Sequence, residues 1–244
     1  MNEEEVRKWL DDNNKQLLLE VEKIVPVKFS LWDNDHFACQ VHKNDQGVQC
    51  EAEIFYIKPP AQSKIAHELL HAKTSLILGD NGIMFSISNQ SAPFIWLMKH
   101  ENASNIVNLC EHVIFFPDYL DMGYSEEDSF EQPRDLVRNH EKLFYLEKHG
   151  LKEKGRYDIR KVFDYLGLVF TFLFYPNEKR FHKEVKTLKK IDFPLFSRVY
   201  NLKRACTDLD ITPANKDYLQ QEYFNFAKDI NGWFSKAFDG AVFF

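Results

Sequence analysis

The chain has 244 residues, of which 44% are hydrophobic and 28% are charged, the composition of a globular protein with a sizeable core. Its net charge of -6 at pH 7 argues against nucleic acid as the main partner, because phosphate binding requires a basic surface. The longest apolar run, residues 166–175, is too short to span a bilayer, and the acidic residues 1–5 include no apolar signal-peptide core. We therefore expect a cytoplasmic protein that has no membrane partner.

Hydrophobic periodicity and turn residues predict a β-hairpin within a mainly helical chain. The strands are predicted at 27–31, 37–42 and 48–57. The turn-rich stretch 43–47, which ends in Gly47, joins the last two strands as the hairpin. The helices are predicted at 3–24, 61–78, 93–99, 102–116, 132–149, 156–175, 178–190, 194–207 and 215–238. Residues 83–87 fit either a strand or a buried loop.

These elements predict an α+β fold in which a small antiparallel or mixed sheet packs on the helix at 61–78. No linker-like stretch interrupts the chain, so we expect a single domain over residues 1–244, with a mostly helical C-terminal subregion from about residue 130 to 244. The four cysteines include no Cys-x-x-Cys pattern and are expected to be reduced. Cys39 and Cys50 lie in the two strands of the hairpin, where they could face each other and form a disulfide on oxidation.

The segment His67-Glu68-Leu69-Leu70-His71 has the pattern H-E-x-x-H inside a predicted helix. Residues four apart share one face of a helix, so His67 and His71 can bind the same metal ion. Glu68 is rotated by about 100° from His67 and could accept a proton from metal-bound water. The alternative is that both histidines are ordinary packed side chains, but two imidazoles and a carboxylate among apolar residues are costly to bury unless paired or metallated. The pattern therefore predicts two metal ligands and a general base.

A catalytic zinc usually has three protein ligands and one water, so a third ligand must come from elsewhere. Asn105, Asn108 and His112 form a polar stripe on an otherwise apolar helix, and Glu111 lies beside it. Glu111 and His112 are adjacent and point about 100° apart, so only one is expected to bind the metal. The other residue, together with Asn108, would contact the ligands without binding the metal itself. Both residues could also belong to a solvated face, and weaker donor candidates are His100, Glu101, His140 and Glu141.

Residues 48–117 resemble the zincin metallopeptidases, through the H-E-x-x-H helix with its preceding hairpin and more loosely through the helix that carries Asn108, Glu111 and His112. The resemblance is gluzincin-like but extends only to the superfamily. The stretch 72–80 lacks the later histidine of the metzincins, and the chain lacks the Asn-Glu-x-x-Ser-Asp pattern of thermolysin-like enzymes.

This resemblance implies that His67 and His71 bind one Zn²⁺ per chain and that Glu68 is the general base of peptide-bond hydrolysis. A glutamate on the second helix is the commoner third ligand in such enzymes, which favours Glu111, whereas the polar stripe favours His112. The strand within 48–57 is expected to line the cleft and to pair with an extended protein or peptide substrate. Tyr124 could stabilise the oxyanion, or it could be an ordinary packed loop tyrosine.

The expected function is therefore that of a cytoplasmic zinc metallopeptidase with a narrow range of protein substrates. One alternative is a catalytically silent zincin scaffold that binds a protein segment, although a pure binder would not need Glu68. Another is a zinc-dependent hydrolase of a non-peptide amide. The sequence leaves the substrate and the oligomeric state open.

Overall fold

A computed structural model describes residues 3–32, 37–58, 60–79, 90–99, 102–129, 136–175, 177, 179–207 and 209–238, with the backbone alone for 102–104 and 129. The helices are α1 (Glu3–Trp9), α2 (Asp12–Glu22), α3 (Gln62–Leu78), α4 (Ala92–Lys99), α5 (Asn102–Asp121), α6 (Glu126–Ser129), α7 (Leu136–His149), α8 (Ile159–Leu173), α9 (His182–Ile191), α10 (Phe193–Cys206) and α11 (Lys216–Ala237). The strands are β1 (Val27–Leu31), β2 (Ala38–Lys43), β3 (Gln49–Tyr56), β4 (Lys152–Glu153) and β5 (Arg156–Tyr157). The predicted α+β class, mainly helical with a small mixed sheet, is confirmed.

The described residues form two compact units that interleave along the chain. Unit 1 takes its residues from 1–80, 115–131 and 210–216, and unit 2 takes its residues from 81–114, 132–209 and 217–244. The helix α5 runs without a break through the boundary at residues 114 and 115. The expectation of a single domain stays a prediction.

Unit 1 is built on a three-stranded sheet with the order β1-β3-β2. The central strand β3 is parallel to β1 and antiparallel to β2. Side chains alternate across a strand, and Ala52, Ile54 and Tyr56 of β3 are buried in the core together with residues of α3. The helix α3 packs against both β2 and β3. The sheet therefore supports the helix that carries the H-E-x-x-H pattern, as the sequence predicts.

The central position of β3 bears on how a substrate could bind. Residues 27–31 occupy one edge of β3, and residues 38–43 occupy the other. A strand that is paired on both edges has no free backbone groups for an added strand. The expectation that the strand within 48–57 pairs with an extended substrate is therefore wrong, and the outer strands β1 and β2 form the edges of the described sheet.

The first helix predicted at 3–24 is two helices, because the chain breaks at Leu10 and Asp11. The Asp11 side chain accepts a hydrogen bond from the backbone N–H of Asn14 at 2.8 Å and so caps the N-terminus of α2. Aspartate is among the preferred residues for this position because its carboxylate satisfies an N–H that has no partner within the helix.

The helix α5 extends to Asp121 and contains Pro117, although the sequence predicts that it ends at residue 116. Proline has no backbone N–H, so the carbonyl of Val113 loses its usual partner within the helix. The chain leaves α5 at Gly123, whose φ of 85° favours glycine and whose N–H donates to the carbonyl of Leu120 at 2.9 Å.

In unit 2 the predicted helix at 156–175 begins later, because residues 156–157 pair with 152–153 in a short hairpin. The helix α8 starts after Asp158, whose side chain accepts hydrogen bonds from the backbone of Arg160 and Lys161. The helices α7, α8, α9 and α10 then pack against one another. No helix among the described residues is both long and apolar enough to cross a membrane.

All four cysteines are free thiols. Cys39 lies opposite Ile54 in the β2–β3 ladder, and the Sγ of Cys50 lies 3.6 Å from the carbonyl oxygen of His42. The two cysteines therefore do not face each other, and the expectation that they could form a disulfide across the hairpin is wrong.

Candidate metal centre

The helix α3 is largely buried in unit 1, and the H-E-x-x-H residues lie in its buried part. Apolar residues of this helix are almost completely shielded from solvent: Ile65, Ala66, Leu69, Leu70 and Ala72. His67, Glu68 and His71 lie among them, and each is only 8% exposed. Burial of three ionisable side chains within two turns is costly unless they are paired or metallated.

The two imidazoles of α3 converge on one point. The Nε2 atoms of His67 and His71 are 3.1 Å apart, and the ring centroids are 4.8 Å apart. Two nitrogens bound tetrahedrally to one Zn²⁺ at about 2.0–2.1 Å would lie about 3.3 Å apart, which is close to the observed separation. A hydrogen bond between the rings fits the same distance, so the metal interpretation depends on whether a third donor is present.

His112 supplies the third donor. One ring nitrogen from each of His67, His71 and His112 lies within 4.8 Å of the other two, and His112 is half-buried. His112 stands on α5, three residues before Phe115 on the same continuous helix. A hydrogen-bonded pair has no need of a third imidazole, whereas three imidazoles are a known ligand set for catalytic zinc and leave a fourth position open. The chemistry of this donor set therefore fits a metal ion.

Two aromatic residues of α5 form a wall behind the imidazoles in unit 1. The Phe115 ring meets the His67 and His71 rings edge-on, with centroid distances of 5.3 and 4.8 Å. Tyr119 lies one turn further along, with its ring centroid 6.4 Å from that of His67. Both residues are completely buried. The H-E-x-x-H pattern gives no sign of these two residues, although Phe115 follows His112 by three residues and so lies on the same side of the helix.

Glu68 is a buried residue of the same helix but is not a member of the group of three nitrogens. It follows His67 directly on α3, so its carboxylate leaves the helix about 100° away from the His67 ring. A buried carboxylate that follows a candidate metal ligand in the chain is compatible with a general base.

The structure brings His112, and not Glu111, into the group with His67 and His71. Glu111 is 6% exposed and lies close to Cys110 and Tyr223 in unit 2. Burial raises the pKa of both the Cys110 thiol and the Tyr223 hydroxyl well above their ordinary values, and the charge of Glu111 adds to each shift. The adjacent residues 111 and 112 therefore face different surroundings.

Asn108 and Tyr124 were predicted to support the site. Asn108 is exposed on α5. The Tyr124 hydroxyl donates a hydrogen bond to the carboxylate of Asp11 and accepts one from the Asn14 side chain at 2.8 Å. This hydroxyl is thus engaged at the start of α2 within unit 1. Its suggested role as an oxyanion stabiliser stays a prediction.

Two of the weaker donor candidates, His140 and Glu141, belong to α7. His140 contacts Glu184 at 3.0 Å and stacks on Phe172, and Glu141 is an exposed residue of α7. His100 and Glu101 lie outside the described residues, as does the ambiguous stretch 83–87.

A second group of donors occurs on the sheet of unit 1, where His42, Glu51 and Glu53 come together. Glu53 already has three partners: the Ser30 hydroxyl, the Lys28 Nζ at 3.0 Å and the His42 Nε2 at 3.0 Å. The hydrogen bond from Ser30, together with those from Lys28 and His42, holds the pKa of Glu53 below its usual value. The positive charge of Lys28 already balances this carboxylate, so the group forms an ion-pair network and offers little to a metal.

Replacement of Tyr124 by phenylalanine is expected to destabilise the protein by about 1–2 kcal/mol at pH 7, because two hydrogen bonds at the start of α2 are lost. Burial and the bond to Asp11 raise the pKa of Tyr124 in the folded state. Above a pH of about 10 the unfolded chain releases the Tyr124 proton while the folded chain retains it. The contribution of Tyr124 to the free energy of unfolding therefore decreases as the pH rises. Urea unfolding from pH 7 to 11 measures this trend.

The exposed Tyr218 provides the matched control, because its replacement by phenylalanine should leave the stability unchanged. Equal stability of the wild-type and Tyr124→Phe proteins would show that the two hydrogen bonds at the start of α2 contribute little.

Comparison with models of protein families, with curated proteins and with solved structures found no match to this chain.

Proposed function

We propose that this protein is a zinc-dependent metallopeptidase with a zincin-like fold, in which His67, His71 and His112 bind one Zn²⁺. The observation that carries the proposal is the convergence of three imidazole nitrogens, two of them on the helix that also carries the buried Glu68. Imidazole also binds copper, nickel and iron, but a glutamate that directly follows the first ligand of an H-E-x-x-H helix is typical of zinc hydrolases.

Each residue has a defined role in this proposal. Zinc, when bound, acts as a Lewis acid and lowers the pKa of a coordinated water towards 7. Glu68 accepts a proton from the attacking water as the new C–O bond forms at the substrate carbonyl. Glu68 then delivers this proton to the amine nitrogen as the C–N bond breaks. Phe115 and Tyr119 exclude water behind the ligands and keep the imidazole rings in place.

The fold supports a peptide as the substrate. Within the described sheet, β2 has one edge that pairs with β3 and one that pairs with no strand. An extended peptide can add to such an edge through main-chain hydrogen bonds. Since β2 also packs against α3, we propose that β2, rather than β3, aligns the substrate with the metal helix.

Metal analysis of four variants tests the proposal. The wild-type protein, dialysed after exposure to zinc, should retain about one Zn²⁺ per chain. His67→Ala and His112→Ala should lose it, because each removes one of three ligands. Glu68→Gln and Glu111→Gln should retain it, because neither carboxylate belongs to the nitrogen group.

Circular dichroism of each variant, recorded without metal, controls for loss of folding. A wild-type protein that takes up no metal would refute the proposal. Retention of zinc by His112→Ala together with its loss in Glu111→Gln would identify Glu111 as the third ligand.

A further inference from the structure

Unit 2 contains a cavity of about 440 Å³ that is lined by residues of α4, α5, α7 and α8. This volume lies within the range of small-molecule sites in proteins, about 300–1,000 Å³. All the lining residues belong to unit 2, and none of them is a member of the three-histidine group. The cavity is therefore a separate feature that the peptidase proposal does not explain.

One wall of the cavity is aromatic. The rings of Trp96 and Phe163 stack on each other at a tilt, with their centroids 4.1 Å apart and their planes 31° apart. Trp96 is 45% exposed, so part of the indole is accessible to a ligand. A planar ligand could stack on such a surface, and aromatic pairs of this kind add to the energy of apolar burial.

The polar groups of the cavity favour a ligand without net charge. Of the described lining residues, Lys142 carries the positive charge, and its Nζ forms an ion pair with the Asp164 carboxylate. A charged ligand would have to break this pair or leave its own charge without a partner. Asn105, Asn139 and Thr171 provide amide and hydroxyl groups, which both donate and accept hydrogen bonds.

Gly167 leaves one part of the cavity lining without a side chain. It lies in the middle of α8, where glycine destabilises a helix relative to alanine. A methyl group at this position would meet no heavy atom of the described structure within 4 Å, so no protein neighbour accounts for the glycine. Gly167 lines the cavity, and its missing side chain leaves room for another molecule to approach the helix.

We propose that this cavity binds an uncharged, planar heterocyclic molecule of the size of a nucleoside. The ligand would stack on the exposed part of Trp96 in this aromatic pair, exchange hydrogen bonds with the amide and hydroxyl groups, and pack its edge against Gly167. The paired charges of Lys142 and Asp164 disfavour a phosphorylated ligand, and the polar groups disfavour a purely aliphatic one.

Isothermal titration of the full-length protein tests this proposal, with adenosine, guanosine, cytidine and uridine as probes. At least one nucleoside should bind in a saturable manner with a Kd below about 1 mM. The 5′-monophosphate of the same nucleoside should bind at least about 10-fold more weakly, because its charge has no partner. The Trp96→Leu protein should also lose at least about 10-fold in affinity, because the stacking surface is removed.

Two glycine variants assign the binding to the cavity. Gly167→Ala should raise the melting temperature of the ligand-free protein by about 2–4 °C and weaken nucleoside binding at least about 10-fold. Gly232→Ala is the matched control, because Gly232 lies in the middle of α11, also has open space around it and does not line the cavity. This control should give the same rise in melting temperature and leave the affinity unchanged.

Three results would overturn the proposal. The first is the absence of binding by all four nucleosides at about 5 mM. The second is unchanged affinity in both Gly167→Ala and Trp96→Leu. The third is an equal loss of affinity in Gly232→Ala, which would show that the effect does not arise in the cavity.

Discussion

Replacement of Glu68 by glutamine is expected to lower the rate of peptide cleavage by about 10²–10⁴-fold while the protein keeps its zinc. Glutamine has nearly the shape of glutamate, so the surroundings of α3 are preserved, but its amide cannot accept a proton from water at neutral pH. Because Glu68 is outside the group of three imidazole nitrogens, the metal content should not change. The variant therefore separates the catalytic role of the carboxylate from metal binding.

Cleavage can be measured by incubating the zinc-loaded protein with a library of peptides and following the products by mass spectrometry. The matched control is Glu127→Gln, since Glu127 is an exposed carboxylate of α6. It should cleave at the wild-type rate. Equal cleavage by the wild type and Glu68→Gln would refute the role of Glu68. Zinc binding without any cleavage by the wild type would instead favour the silent scaffold.

The second large effect is expected from Phe115→Ala. Phe115 is completely buried and contacts the rings of both His67 and His71, so its truncation leaves a cavity beside the ligands. Losses of this kind cost about 3–5 kcal/mol of the free energy of unfolding. The imidazoles also lose the wall that holds them, and metal affinity should fall about 10-fold or more.

Urea unfolding in the presence of a chelator isolates the effect on the metal-free protein, and competition with a zinc indicator dye measures the affinity. Phe116→Ala is the matched control, because Phe116 is the next residue of α5 and only half-buried. Phe116→Ala should lower the free energy of unfolding by less than Phe115→Ala does, and its zinc affinity should stay close to that of the wild type. Unchanged zinc affinity in Phe115→Ala would show that the aromatic wall does not position the ligands.

The sequence predicted those helices and strands in which apolar residues recur with the period of the element itself. The helix α3 and the strands β2 and β3 begin and end within two residues of the predicted positions. The break at Asp11 was missed because distant residues help to stabilise it. The side-chain Oε1 of Gln62 accepts from the Asp11 backbone N–H at 3.0 Å and from the Asn14 side chain at 2.9 Å, and the Tyr124 hydroxyl donates to Asp11. No short window of sequence contains these contacts.

The choice between Glu111 and His112 was open for a similar reason. Both residues are plausible ligands, and the one that faces His67 depends on the rotation of α5 about its own axis. That rotation is set by the packing of Phe115 on one side and of Cys110 on another, both of which are completely buried. The sequence restricts the candidates for a third ligand to a short segment, and tertiary packing brings His112 into the group with His67 and His71.

The interleaving of the two units has a consequence for biosynthesis. Unit 1 is formed by three segments of the chain. Tyr119 of the second segment belongs to the core formed with the first 80 residues, and Ile211 of the third segment packs against that core. A ribosome adds about 5–20 residues per second, so the last segment is translated roughly ten seconds after the first. During that interval the apolar residues of α3 are not fully covered by the rest of the core, and a chaperone could bind them. His112 is likewise translated after both histidines of α3, so a three-ligand site can form only once that part of α5 has left the exit tunnel.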